Sequence, residues 1–157
     1  MSKRLIVLLA GVVAIAAVVA GCGSSDDSSD TTALTKQQFI VQADAICKKG
    51  NNEIDEGFES FAKENNIPQN QEPSKEQGKE LVETVLVPNL DTQSEEIRAL
   101  GAPSGDEDEV SAMLDSLDES VEEAEDDPEA LFDSKSDPFA KPNELARDYG
   151  LKVCGQE

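Results

Sequence analysis

The stretch TKQQFIVQADAICKKGNNEIDEGFESF, residues 35–61, decides the fold of this chain. Its apolar and small residues recur at every third or fourth position: Phe39, Ala43, Ile46, Cys47, Gly50, Ile54, Phe58 and Phe61. This spacing puts them on one face and predicts an amphipathic α-helix of about 30 residues. Thr35 and Gln38 form the pattern of a capping box at its start. Near Gly50 and Gly57 we expect either a closely approaching helix or a bend.

A loop and a second helical pattern follow. Residues 65–73 are rich in Asn, Gln and Pro, and Ser74 with Gln77 has the pattern of a helix start. The apolar stripe of this second helix runs to Leu100 and keeps its phase across Pro88. Because proline removes a backbone donor and clashes with the preceding turn, we expect one kinked helix or two short helices stacked end to end.

The last third of the chain predicts two more helices. Asp106 with Glu109 is a candidate cap for a helix with an apolar stripe over 110–124. A short final helix should end at Gly150, and we expect the tail 151–154 to be extended. No segment alternates as a strand over more than about four residues. The pattern therefore predicts an all-α fold, a small bundle of three to four main helices.

The N-terminus has the layout of an export signal. Two basic residues precede an apolar run over 5–20, and small residues and then a polar stretch follow it. The sequence VAGC, residues 19–22, resembles the lipobox of bacterial lipoproteins. In that family the cysteine is lipidated and becomes the first mature residue. The resemblance implies a signal peptide over 1–21 and an acylated Cys22 that tethers the protein to the extracytoplasmic side of the cell membrane.

Two alternatives remain for this segment. An uncleaved anchor would have to cross a hydrocarbon core of roughly 30 Å, whereas the apolar run spans about 24 Å as a helix. An ordinary secretory signal would leave Cys22 unmodified. The small polar residues that follow Cys22 predict a flexible tether. The expected domains are thus the signal peptide at 1–21, the acylated cysteine and tether at 22–34, and the helical domain at 35–157.

The chain has three cysteines, and lipidation of Cys22 would leave Cys47 and Cys154 as an even pair. In an oxidising compartment we expect these two to form a structural disulfide. Two buried free thiols are one alternative. A redox-active pair is another, although such sites usually use a local Cys-x-x-Cys motif.

Three segments of the mature chain carry a second resemblance. They are FIVQADAICKKGN (39–51), VLVPNLDTQSEEIRALGAP (85–103) and YGLKVCG (149–155). Together they are similar to small exported lipoproteins of high-GC Gram-positive bacteria, which we associate with helical domains. This resemblance implies the same Cys47–Cys154 bridge between the N- and C-terminal parts, and it implies no catalytic residues.

Charge excludes one class of partner. The chain has 13 Lys and Arg against 34 Asp and Glu, for a formal net charge of −21. Removal of the leader, with its two basic and no acidic residues, takes this charge from −21 to −23. Nucleic acid is excluded because phosphate contacts require Lys and Arg. A basic patch for anionic lipid is also missing, so the membrane link would rest on the acyl chains.

The sequence offers no pattern for catalysis. Histidine is absent, which removes Ser-His and Cys-His activation and imidazole metal ligands. No phosphate-binding loop, nucleophile elbow or dinucleotide-binding glycine pattern occurs. We therefore expect no enzyme, no cofactor and no dedicated metal site.

An acidic run is the remaining anomaly. Residues 99–134 contain fourteen Asp or Glu and no Lys or Arg. We interpret them as a solvated helix face, with loose capture of Ca²⁺ or other divalent cations as the alternative, because no EF-hand loop is present.

These observations predict a lipid-anchored extracytoplasmic binding or interaction module. Its partner would be an envelope protein or a small ligand that the sequence does not identify. The alternative is an acidic, cation-buffering surface lipoprotein that binds divalent cations weakly along 106–129 and has no specific partner.

Overall fold

The computed structural model describes residues 33–132 and 137–156, and every regular element in it is helical. The α-helices are α1 (Lys36–Glu64), α2 (Lys75–Leu81), α3 (Val87–Ala99), α4 (Glu107–Asp126) and α5 (Ala140–Tyr149). A π-helical turn at Val82–Leu86 joins α2 to α3, and a 3₁₀ turn at Pro128–Phe132 follows α4. Because α2 and α3 are continuous through the π turn, the described chain has four main helices. The all-α prediction is confirmed.

The predicted signal peptide 1–21 and the lipidation site Cys22 lie outside the described residues, as does the tether except for its last two residues. Leu34, at the end of that predicted tether, packs against the helical core. Within the described part, no helix is both long enough and apolar enough to cross a membrane.

Two of the three predicted helix caps are confirmed. Thr35 Oγ1 accepts a hydrogen bond from the Gln38 backbone N–H at 3.3 Å, and Gln38 Oε1 accepts from the Thr35 N–H at 3.0 Å. Ser74 and Gln77 form the same reciprocal pair ahead of α2. Asp106 precedes α4 as expected, but its side chain makes no capping bond. The capping prediction is wrong there. The carboxylate of Asp106 instead accepts a hydrogen bond from the phenol of Tyr149, at the end of α5.

The helix containing Pro88 is continuous and contains a widened turn. The Val87 N–H donates to the carbonyl of Val82, five residues back rather than four. In a regular helix the proline ring would clash with the carbonyl of Thr84. The π turn lies just before the proline and relieves this clash. The segment is therefore one continuous helix and not two short helices stacked end to end.

Both predicted close approaches are confirmed, and the alternative of a bend is not needed to explain the glycines. A Cβ atom at Gly50 would lie 2.3 Å from Cδ of Gln93, and one at Gly57 would lie 2.5 Å from Cγ1 of Val85. Helix α1 therefore lies directly against the π turn and α3, and any side chain at these two positions would push the helices apart.

The core consists of two apolar clusters. Helix α1 packs against α3, α3 against α4, and α4 against α5. The buried members of the first cluster are Phe39, Ala43, Cys47, Ile97, Val110, Met113, Leu114, Ala146, Tyr149 and Leu151. The second is smaller, with Val82, Val87, Val121 and Ala124 buried and Leu90, Leu117, Leu131 and Phe139 packed against them.

The C-terminal tail returns to α1 and is held there by a covalent bond and a carboxylate. Gly150 ends α5 in the left-handed region at φ 112°, as predicted for this C-cap. Cys154 then forms the expected disulfide with Cys47, with Cα atoms 5.2 Å apart across a sequence separation of 107. The predicted extended conformation of the tail is wrong, since residues 152–155 bend and turn.

Asp44 explains the bent tail. Its carboxylate accepts backbone N–H bonds from Lys152 at 3.1 Å, Val153 at 2.8 Å and Cys154 at 3.3 Å. Three successive donors can converge on one carboxylate only if the backbone curves around it. These charge-assisted hydrogen bonds thus orient the tail against Asp44, which lies about one helical turn before Cys47 on α1.

We expect Asp44→Ala to lower the free energy of unfolding by about 1–3 kcal/mol, because three backbone donors lose their acceptor. The measurement is urea denaturation of the full chain with the disulfide intact. The matched control is Asp55→Ala on the same helix, where the carboxylate is exposed and has no hydrogen bond or ion pair with another described residue. Equal losses in the two variants would show that Asp44 does not hold the tail.

Candidate ligand-binding cavity

A cavity of about 320 Å³, partly open to solvent, separates the two apolar clusters. Buried side chains of the first cluster form its floor: Ile97, Met113, Leu114, Ala146 and Leu151. Half-buried side chains associated with the second cluster form its wall: Leu90, Leu117 and Phe139. The cavity is therefore lined by α3, α4 and α5 and lies between residues of the two clusters.

The bridge between Cys47 and Cys154 completes the wall on the side of α1. Because both sulfurs are committed to the disulfide, the cavity contains no free thiol. Leu86, the last residue of the π turn, also lines it. The two cysteines that the sequence singled out are thus part of the candidate site, although their role there is to shape it.

Four carboxamides and one carboxylate supply the polar side chains of the lining. Asn51, Asn143 and Gln156 lie toward solvent, and none of their side chains has a hydrogen-bond partner among the described residues. Gln93 is only 5% exposed, and its Nε2 donates to Asn89 Oδ1 at 2.8 Å. The lining therefore combines an apolar interior with a rim of amides that are free to donate and accept.

The described lining carries negative charge and no positive charge. Among the described lining residues, Asp137 is the ionisable one and is exposed, and none is Lys or Arg. The lining can contact an apolar body and can hydrogen-bond an uncharged polar group. It offers no cation to balance a bound anion.

The predicted acidic face occupies α4 and is partly neutralised from α3. Arg98 Nη2 donates to Asp115 Oδ1 at 2.9 Å and also to Asp118, which accepts from Ser94 Oγ at 2.7 Å. The hydrogen bonds from Arg98 and then from Ser111 hold the pKa of Asp115 below its ordinary value. Among the described residues, no group of three or more side chains is placed to hold a metal ion. Weak binding of divalent cations stays a prediction.

Tyr149 joins the start of the acidic helix α4 to α1. Its hydroxyl donates to Asp106 Oδ2 at 2.8 Å, its ring packs edge-on against Phe39, and Lys36 Nζ lies 3.9 Å from the ring centroid. Burial, followed by the hydrogen bond to Asp106 and the negative charges of Asp106 and Glu109, raises the pKa of Tyr149 well above its ordinary value.

This raised pKa predicts a loss of stability in alkali. The unfolded chain releases the phenol proton near pH 10, while the folded chain still retains it. The contribution of Tyr149 is therefore complete below about pH 10 and declines as the pH rises above that value. Tyr149 is the single tyrosine of the chain, so the near-ultraviolet absorbance of tyrosinate reports on it alone.

We expect the folded protein to keep this phenol protonated at about pH 11, whereas the urea-unfolded chain titrates near pH 10. Asp106→Asn, which retains an acceptor and removes the charge, should lower the folded pKa partway. Coincident titration curves for the folded and unfolded chains would contradict the buried, hydrogen-bonded phenol.

The sequence pointed to only part of this cavity. Leu90, Leu117 and Phe139 fit ordinary core stripes, because periodicity identifies a buried face but not a gap beside it. Asn51 and Asn143 are common polar residues of helix surfaces, and nothing in their local sequence distinguishes them. The one signal in the sequence is that α4 contains no Lys or Arg, so this helix places no cation of its own beside the cavity.

No protein-family model, curated protein or solved structure matches this chain. The predicted relationship with small exported lipoproteins stays a prediction.

Proposed function

We propose that this protein is a lipid-anchored extracytoplasmic binding module and that the cavity is its ligand site. The observation that carries the proposal is the unfilled space of about 320 Å³ between the two apolar clusters. Small-molecule sites are concave, mostly apolar and lined by a few polar groups that orient the ligand, with volumes from about 300 Å³ upward. The cavity meets each of these criteria.

The gradient of burial across the lining supports the same role. Its floor includes Leu114 and Leu151, which are 2% and 1% exposed, whereas Asn51 and Gln156 at the rim are exposed. A ligand could therefore bury an apolar body while its polar group stays within reach of the amides. Empty apolar space lowers stability because the surrounding side chains lose contacts, so a ligand that fills it should stabilise the fold.

The anchored, extracytoplasmic location is supported by two independent features. The VAGC sequence at 19–22 resembles a lipobox, and the Cys47–Cys154 disulfide is of the kind that persists in oxidising compartments. The anchor would keep the cavity close to the membrane, where apolar molecules are concentrated.

The anchor has a direct test. We expect intact-mass measurement of the membrane-extracted protein to show a diacylglycerol adduct on an N-terminal Cys22. Cys22→Ala should release the protein from the membrane or leave an unprocessed precursor. An unmodified soluble form cleaved at another position would contradict the proposed anchor.

The cavity can be tested in the full chain in its membrane by photolabelling with benzophenone, followed by peptide mapping. We expect adducts on Met113, Leu114 or Leu117, because these side chains face the cavity. Leu90→Trp should fill the space and reduce this labelling at least about tenfold, as expected when a small apolar site loses its volume. Val41→Trp is the matched control, because Val41 is 60% exposed on α1 and lies outside the cavity.

Thermal unfolding of both variants separates a filled cavity from a misfolded chain. A Leu90→Trp protein that unfolds cooperatively and still labels like the Val41→Trp control would contradict the assignment of the cavity as the ligand site.

A further inference from the structure

We propose that the ligand is an uncharged amphiphile: an apolar body with one neutral hydrogen-bonding group, such as an amide, ester or alcohol. This inference rests on the proposed function of the cavity and names the chemical class that it selects. It follows from the identities of the polar lining residues and from the charge around the mouth.

The interior excludes charge of either sign. Met113 and Leu114 are 4% and 2% exposed, and together with Ile97 they form an apolar floor that contains no counter-charge. An ion transferred into such a site without a partner loses its hydration and gains no compensating bond. The part of the ligand that enters the floor is therefore apolar.

The rim excludes anions specifically. Asp137 is the charged side chain of the lining, and the chain as a whole has a formal net charge of −21. A carboxylate, sulfate or phosphate group would be repelled by the net negative charge as it approached and would find no Lys or Arg among the described lining residues. Fatty acids and phospholipids with free anionic groups do not fit this lining.

The rim amides can recognise an uncharged polar group. A carboxamide both donates and accepts, so Asn51 and Asn143 can pair with either half of a neutral polar group. Both side chains lack hydrogen-bond partners among the described residues and stand on different helices, α1 and α5. Their role is to recognise an uncharged polar group where the cavity opens.

The volume limits the size of the buried part. At about 30 Å³ for each water in the liquid, the cavity holds the equivalent of about ten water molecules. The ligand is therefore a small molecule or the end of a longer one, and the open side of the cavity leaves room for a longer molecule to extend into solvent.

Two isosteric photoprobes test the selectivity in the full chain in its membrane: 4-benzoylbenzamide, which is neutral, and 4-benzoylbenzoate, which is its anionic counterpart. We expect adducts of the amide on Met113, Leu114 or Leu117, and labelling of these residues by the benzoate that is at least about tenfold weaker. Unsubstituted benzophenone, which has the same photoreactive ketone but no carboxamide or carboxylate, supplies the reference.

The double variant Asn51→Leu with Asn143→Leu tests the rim. It should reduce labelling by the amide several times more than labelling by unsubstituted benzophenone, and this difference separates recognition of the carboxamide from a general loss of binding. Urea denaturation checks that the variant folds.

The outcomes distinguish the two proposals. Labelling of the cavity by neither probe would overturn the proposed function and this inference together. Equal labelling by both probes, or stronger labelling by the benzoate, would leave the cavity as a binding site and overturn the selection for uncharged ligands. An equal loss of labelling by the amide and by unsubstituted benzophenone in the double variant would overturn the role of the rim amides in recognising the carboxamide.

Discussion

The return of the C-terminal tail to α1 is the constraint on which the rest of the structure depends. The covalent link between Cys47 and Cys154 closes almost the whole helical domain into one loop, which restricts the unfolded chain more strongly than it restricts the folded one. Asp44 then sets the path of the tail through three backbone hydrogen bonds. Together they fix α5 against α4 and place Leu151 in the core, so the last helix cannot separate from the first.

The cavity lies among helices that are held together at defined points. Helix α1 lies tightly against α3 at Gly50 and against the π turn at Gly57, and α5 is linked to α1 by the tail. The first cluster includes Cys47 of the disulfide, the second includes Val87 of α3 and Val121 of α4, and the cavity is lined by residues associated with both.

The acidic residues in and around α4 interact with different favourable partners at different positions along the helix. Acidic residues at the start of α4 interact favourably with the helix dipole, and Asp106 gains Tyr149 and Lys36 as partners. Farther along, Arg98 balances two carboxylates, although such exposed pairs contribute little to stability. Crowding remains visible at Asp91, whose pKa is raised by burial and by the charges of Asp118 and Glu95.

The sequence by itself determined the helices, because their signals are local. The periodic stripe, the capping boxes at Thr35 and Ser74, and the stop at Gly150 each act within a few residues. It also predicted the disulfide, since cysteine parity and compartment limit the pairing. Only the tertiary structure decided that Asp106 binds a phenol rather than capping α4. Only the tertiary structure placed Asn51 and Asn143 in the lining of the same cavity, because a cavity depends on how distant helices pack and no local pattern records it.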